Sequence, residues 1–365
     1  MEKNILQDAI NKLNKLGIDH VDILAQENFT MSARQRMRKP EEIIQAETAA
    51  ISVRTFFRKQ SAVVSTDNIS SLRDNDFLEK IVALTKNAPE YDENPQPALE
   101  DLPKNLPEID LVDSSEISPE ILLNNIRECE EIVLQSEGIT NSDGAEIGYD
   151  KTKIILMKGK NFFGEYEKTN FSFAVSPLAE KNGKLQQNYD FSSAIYYDDL
   201  KTPQQLAENA VRKTLQKLGS RKIKTCRIPV IFDREVSRSL LKNLLSALDG
   251  AEIAKGTSFL ADKLSQKIFS EKITISDHAW LDKGLRSRPF DSDGISRAEN
   301  TLIKNGVINS FLLNTKYANK LKTKSTGNAS GFSGISPNNI HLENGSAEIS
   351  KLLKDIGTEI GRAHV

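Results

Sequence analysis

The stretch Pro229–Leu260, PVIFDREVSRSLLKNLLSALDGAEIAKGTSFL, decides how the chain is read. An apolar Val230-Ile231-Phe232 run reads as a strand, and a long helix is expected to follow it. A catalytic zinc site needs about three nitrogen, sulfur or carboxylate ligands and keeps one position for water. Within this helix the run Ser246-Ala247-Leu248-Asp249-Gly250-Ala251 holds no histidine or cysteine, and its serine and two alanines supply no strong ligand and no general base. The chain has four histidines, His20, His278, His341 and His364, and no two are close in sequence. Neither H-E-x-x-H nor C-x-x-C occurs, so a zincin-type motif is absent on spacing alone. Each histidine is read as a core or surface residue without metal. A ligand set drawn from the distant His20, His278 and His341 is the alternative. A Ser246 nucleophile would need an adjacent base, but Lys242, Asn243 and Gly250 bring no imidazole and Lys255 lies more than two turns on.

Five further blocks give this stretch its context: SDGAEIGY (142–149), LAENAVRKTLQKLGSRKI (206–223), SRPFDSDGI (287–295), LIKNGVINSFLLNT (302–315) and STGNAS (325–330). Together, in this order, they resemble the TldD/PmbA family, once called modulators of DNA gyrase. In the TldD branch the helix carries H-E-x-x-x-H, two imidazoles for the metal and a carboxylate to activate water. Set against that motif, Ser246 and Ala251 replace the histidines and Ala247 replaces the glutamate. The resemblance is therefore to the PmbA (TldE) branch, with the chain stopping short of the family's usual C-terminal segment.

The resemblance implies a cytoplasmic, non-catalytic subunit that assembles with a TldD-type metalloprotease subunit. The zinc and the hydrolysis would belong to that partner, with no cofactor in this chain. Together the two would enclose unfolded peptides, with peptide-precursor maturation and antitoxin turnover as the substrate classes. A homodimer is the other assembly kept open. Two rival functions are a metallopeptidase in its own right and a regulatory binding protein linked to DNA gyrase.

Two loops are candidates for peptide contact. Asp291, Asp293 and Gly294 could suggest a calcium loop, but the twelfth position from Asp291 is Leu302 rather than glutamate. The run is expected to be an Asx-turn that positions backbone near the site. Thr326, Gly327 and Asn328, small and polar, could expose backbone groups to a bound chain. The competing reading of both segments is structural: a turn and a surface loop.

Composition narrows the class. The 365 residues suffice for two domains. A net charge of −2 gives no global basic field for nucleic acid. The basic link KLGSRKIKTCR (217–227) lacks interleaved aromatics for base stacking and is read as a solvated connector or an acidic-partner contact. No apolar run approaches the roughly 20 residues of a bilayer span, and the N-terminus lacks a secretory signal's apolar core. Cys129 and Cys226 are read as reduced structural thiols.

The expected fold is α+β. A mixed hairpin-and-helix domain is expected over 1–220, with a Pro-rich connector near 88–113 that holds five of the twelve prolines. A sheet-rich domain around the degenerate helix follows over 228–358. Within the first, Ile5 to Leu16 has helical spacing, 21–25 reads as a strand, 33–42 as a loop or hairpin turn and 49–66 as a hairpin. Helices are expected over 78–87, after Ser118-Pro119 and after Thr202-Pro203, with strands from Thr140 to Tyr197. The last seven residues, EIGRAHV (359–365), can be back-translated as GAG ATC GGA AGA GCA CAC GTC, which matches a common sequencing-library adapter, and are read as a non-native tail. Re-amplifying the locus checks this: finding those codons followed by a stop in the genome would overturn it.

Overall fold

The computed structural model describes residues 3–220, 224–227 and 229–356. Most of the basic link is described, but its residues 221–223 are not. The tail 359–365 lies outside the described residues.

The first half is built on one antiparallel sheet. Helix α1 (Lys3–Lys15) buries Leu6, Ala9, Ile10 and Leu13 at helical spacing and stops at Gly17, whose φ is 91°. Strands β1 (His20–Arg36), β2 (Lys39–Phe57) and β3 (Gln60–Thr66) follow, then α2 (Asn75–Lys86) and α3 (Pro119–Gln135). Strands β4 (Asn141–Lys158), β5 (Phe162–Lys181), β6 (Lys184–Gln187) and β7 (Asp190–Ala194) complete the sheet, and α4 (Pro203–Leu215) closes this half. The strand order is β3-β2-β1-β4-β5-β6, with β7 also paired to β5.

Alternation along the strands separates two faces. On β1, odd residues Val21, Ile23 and Ala25 enter a core with α1 and α2, and Met31 and Ala33 enter a second core with α3 and α4. All four helices therefore cover the odd face. Even residues, Asp22 and Leu24 among them, look the other way, and that face receives the C-terminal part of the chain.

The expected loop at 33–42 is the tip of the β1–β2 hairpin. Met37 and Arg38 take positive φ values of 48° and 63°, a conformation that non-glycine residues adopt at a cost. Buried Glu130 of α3 offsets it by accepting hydrogen bonds from the Met37 and Arg38 amides, both at 2.8 Å.

After residue 229 every element but the first is short: α5 (Arg234–Ala247), α6 (Gly250–Lys255), β8 (Ile275–His278), β9 (Glu299–Lys304), β10 (Val307–Ile308), α7 (Thr315–Lys320), β11 (Ala329–Ser330), β12 (Gly334–Ile335), β13 (Asn339–Leu342) and α8 (Ile349–Ile356). A four-stranded sheet, β10-β9-β8-β13, surrounds a third core containing Leu248, Ile253, Leu302, Ile303 and Leu312. The α+β character is as expected.

Two local expectations differ. Residues 230–232 lie outside any strand, and Val230 is 58% exposed. The long helix is also broken: Leu248 caps α5, and the Asp249 carboxylate then accepts from the Ala251 amide at 2.8 Å to start α6. The connector is irregular, with a 3-10 turn at Leu99–Asp101 and an isolated bridge from Glu90 to Gln60. Cys129 is buried in the α3–α4 core and Cys226 is exposed, both as free thiols.

Candidate functional site

The break between α5 and α6 falls inside the degenerate run. Ser246 is exposed, and its hydroxyl donates to the Lys242 carbonyl at 3.1 Å, one turn back. Ala247 and Ala251 are half-buried. The Ala247 carbonyl accepts from the Ser258 hydroxyl at 2.6 Å. A serine bonded to its own helix and two methyl groups do not fit a zinc ion, which takes lone pairs from imidazole, thiolate or carboxylate. Among the described residues no group of three or more His, Cys, Asp and Glu side chains converges as a metal site would require. His278 and His341 do meet, with ring centroids 6.3 Å apart on neighbouring strands β8 and β13. His20 is elsewhere, donating to Asp22 at 2.9 Å.

The two candidate peptide-binding loops meet in the interior. Asp291, Asp293, Gly294, Thr326, Gly327 and Asn328 are all buried. Asp291 forms the expected Asx-turn: one carboxylate oxygen accepts from the Asp293 and Ile295 amides, both at 2.9 Å. Its other oxygen accepts from the Ala329 amide at 2.8 Å and ties the first loop to the second. Thr326 donates to Asn328 Oδ1 at 2.7 Å, and Asn328 Nδ2 donates to Asp277 at 2.6 Å. Arg288 clamps the same segment through the Ala329 and Gly327 carbonyls at 2.8 and 3.2 Å. These side chains are committed to one another and hold the loop conformations. Free polar groups for a ligand are not found on them. Burial pushes the Asp291 carboxyl up to about 6, with the neighbouring Asp293 charge adding to the effect.

Asp293 leads to a cluster that sequence reading missed. Asp22, Arg54 and Lys158 stand opposite one another on β1, β2 and β4, so strand register alone aligns them on the even face. Arg54 donates to Asp22 Oδ2 through Nε at 3.0 Å and Nη2 at 2.7 Å. Arg54 Nη2 also reaches Asp293 Oδ1 at 3.1 Å, and Lys158 donates to Asp22 at 2.7 Å. The Phe332 ring stacks 4.3 Å from the guanidinium carbon. Burial opposes ionisation of Asp22, but Lys158, the His20 hydrogen bond and Arg54 outweigh it and hold the carboxyl below its usual range. Beside this cluster Phe290 packs edge-on against Phe162 and Tyr166, at 5.4 and 5.3 Å. Gly164 lets it approach, because a Cβ there would come within 2.6 Å of the Phe290 ring. The Asp–Arg–Asp link thus seats the Asp291–Gly294 loop on the N-terminal sheet. The available signal was an acid at Asp22 amid an apolar strand run, but its partners depend on register.

Comparison with known proteins bears on the family and the fold. Residues 112–218 match the PmbA/TldA metallopeptidase central domain and residues 225–360 the PmbA/TldA metallopeptidase C-terminal domain. The Escherichia coli O157:H7 protein named metalloprotease PmbA is 26% identical over 366 residues, 98% of this chain and 79% of its own length. A metalloprotease PmbA homolog of Buchnera aphidicola is 33% identical over 207 residues, 56% of this chain and 46% of its own. Among solved structures, one from Bacteroides thetaiotaomicron, described as a modulator of DNA gyrase, superposes with a TM-score of 0.86 at 22% identity, covering 97% of this chain and 80% of that one. TldE from Thermococcus kodakarensis gives 0.85 at 21% identity, covering 96% and 80%. With two of the family's domains matched in order along more than half of its length, the chain belongs to the PmbA/TldD family.

Proposed function

We propose that this chain is the non-catalytic, TldE-type subunit of a TldD-type zinc metalloprotease complex, and that it helps enclose and hold unfolded peptides. The observation that carries the reading is the 246–251 run, where a back-bonded serine and two alanines supply neither metal ligand nor general base and the one carboxylate, Asp249, is used to cap α6. The partner then supplies zinc and the activated water. Extended substrates suit such a role, since strand addition holds a main chain without strict sequence choice. Peptide precursors and an antitoxin are the substrate classes, and the cytoplasm is the compartment. No described helix is long and apolar enough to cross a membrane. The division into units over 1–220 and 228–358, with assembly through either or both, belongs to the same proposal.

The names of the relatives favour a second reading, a metallopeptidase in its own right. One assay separates the two. The TldD-type subunit encoded by the same organism is incubated with an unfolded peptide, with and without this chain. The proposal expects this chain alone to be inert and the partner's cleavage of unfolded peptides to rise when it is added. Equal cleavage by the partner alone would remove the basis for an accessory role.

A further inference from the structure

Strand β1 pairs with β2 along its whole length, but β3 pairs only with residues 51–57 of it. The outer edge of β2 over residues 39–50 therefore has no strand beside it among the described residues. Ten of these twelve residues are exposed, all but Ala46 and Ala49. Ile43 and Ile44 are 54% and 37% exposed. Register fixes where the backbone groups point. Phe57 and Gln60 close a two-residue hairpin loop, so the Phe57 amide and carbonyl face β3. Alternation puts the odd residues of β2 on that side, and the ladder with β1 is unbroken over residues 42–56. The N–H and C=O groups of Ile43, Gln45, Glu47 and Ala49 consequently point outward, beyond the reach of β3.

An open edge of this length is a template for another chain, and proteins blunt such edges with charge or proline. Here the charges have one sign. Residues 40–53 carry Glu41, Glu42 and Glu47 and no lysine or arginine. Glu41 is paired with Arg34 at 3.0 Å, whereas Glu42 and Glu47 have no ion-pair or hydrogen-bond partner among the described residues. The other basic side chains nearby, Arg36, Arg38 and Lys39, belong to the hairpin tip, where Arg38 is paired with Glu131 at 2.7 Å. Three carboxylates repel a second copy of the same edge, because like charges on adjacent strands destabilise a sheet. They fit a chain of the opposite sign. We propose that the open edge of β2 holds a basic, extended peptide as an added strand, a reading that rests on the peptide-holding role above and names its substrate class. The outward groups at 43, 45, 47 and 49 bond the peptide main chain, and the two isoleucines give it apolar contact. Glu42 and Glu47 select lysine or arginine.

The test titrates the full chain into a fluorescent ten-residue peptide of alternating lysine and threonine, acetylated and amidated, and follows anisotropy at low salt. Wild type binds it and does not bind the same peptide with glutamate in place of lysine. Glu42→Gln combined with Glu47→Gln weakens binding about three- to tenfold, the worth of two cross-strand charge pairs. Glu42→Lys combined with Glu47→Lys transfers binding to the glutamate peptide. Both pairs change exposed side chains, so melting temperatures stay level. Gln45→Pro, which removes one outward N–H and no bond to β1, also weakens binding. A lysine peptide with every amide N-methylated keeps its charge, cannot donate, and does not bind. If it bound as well as its parent, charge alone would hold the peptide and strand addition would be overturned. Charge variants that bind the lysine peptide like wild type would overturn the β2 edge as the site. So would a wild-type chain that binds neither peptide, or both equally. The accessory role is read separately, from the partner's cleavage with and without this chain, and survives each of these failures.

Discussion

Asp22 is the residue on which the seating of the C-terminal part turns, because it balances two buried cations, Arg54 and Lys158. Asp22→Ala leaves Lys158 without its ion pair and Arg54 with Asp293 alone. The expected cost is about 3–5 kcal/mol, the usual penalty for breaking a buried pair, measured by urea denaturation. Two carboxyls in this region respond to pH with opposite signs. Asp22 has a depressed folded value, so its contribution is complete above the unfolded carboxyl value of about 4 and is lost as pH falls through the folded one. Asp291 has a raised folded value, about 6, so the folded state holds an extra proton between about pH 4 and 6. Its contribution is therefore greatest below about pH 4 and declines as pH rises to 6. Unfolding free energies collected from pH 4 to 7 on wild type and Asp291→Asn check this: the declining component is expected to vanish in the variant.

The junction of α5 and α6 shows how one element can be legible in sequence and still end in an unexpected place. Gly250 begins α6 against the Leu312–Leu313 segment, where a Cβ would lie 2.5 Å from Leu313 Cδ2 and 2.6 Å from the Leu312 carbonyl oxygen. Gly250→Ala is expected to destabilise by about 1–3 kcal/mol through overpacking, read as a lowered urea midpoint with unchanged slope. Asp249→Ala removes the N-cap and costs about 1 kcal/mol in the same assay. The Gly250 contact is not visible from sequence, since it depends on a segment more than sixty residues away, whereas the Asp249 cap is local. Where caps and periodicity are local, reading succeeded. Ser118-Pro119 and Thr202-Pro203 start α3 and α4 as expected, and Thr202 forms a full capping box with Gln205. It fell short for β1, whose charged end at Arg34 and Arg36 obscured an alternation that Phe29, Met31 and Ala33 in fact continue. The Val230–Phe232 run has β-forming residues but no ladder partner among the described residues, and composition alone does not supply one.

At the scale of the whole molecule, a helix-covered sheet presents its other face to a loop-rich second part. The candidate loops are fixed where the two meet. Sequence pointed to those loops and to the Asx-turn, but not to their burial. The depth of Thr326 and Asn328 is set by Asp277 and by Arg288, which come from elsewhere in the chain. The degenerate run was legible because missing ligands show directly in residue identity. One measurement tests that central claim most directly: metal analysis of the purified chain, paired with a peptidase assay without any partner. The account predicts zinc far below one per chain and no hydrolysis. About one zinc per chain, with peptide cleavage that stops on chelation and returns on adding zinc, would contradict it.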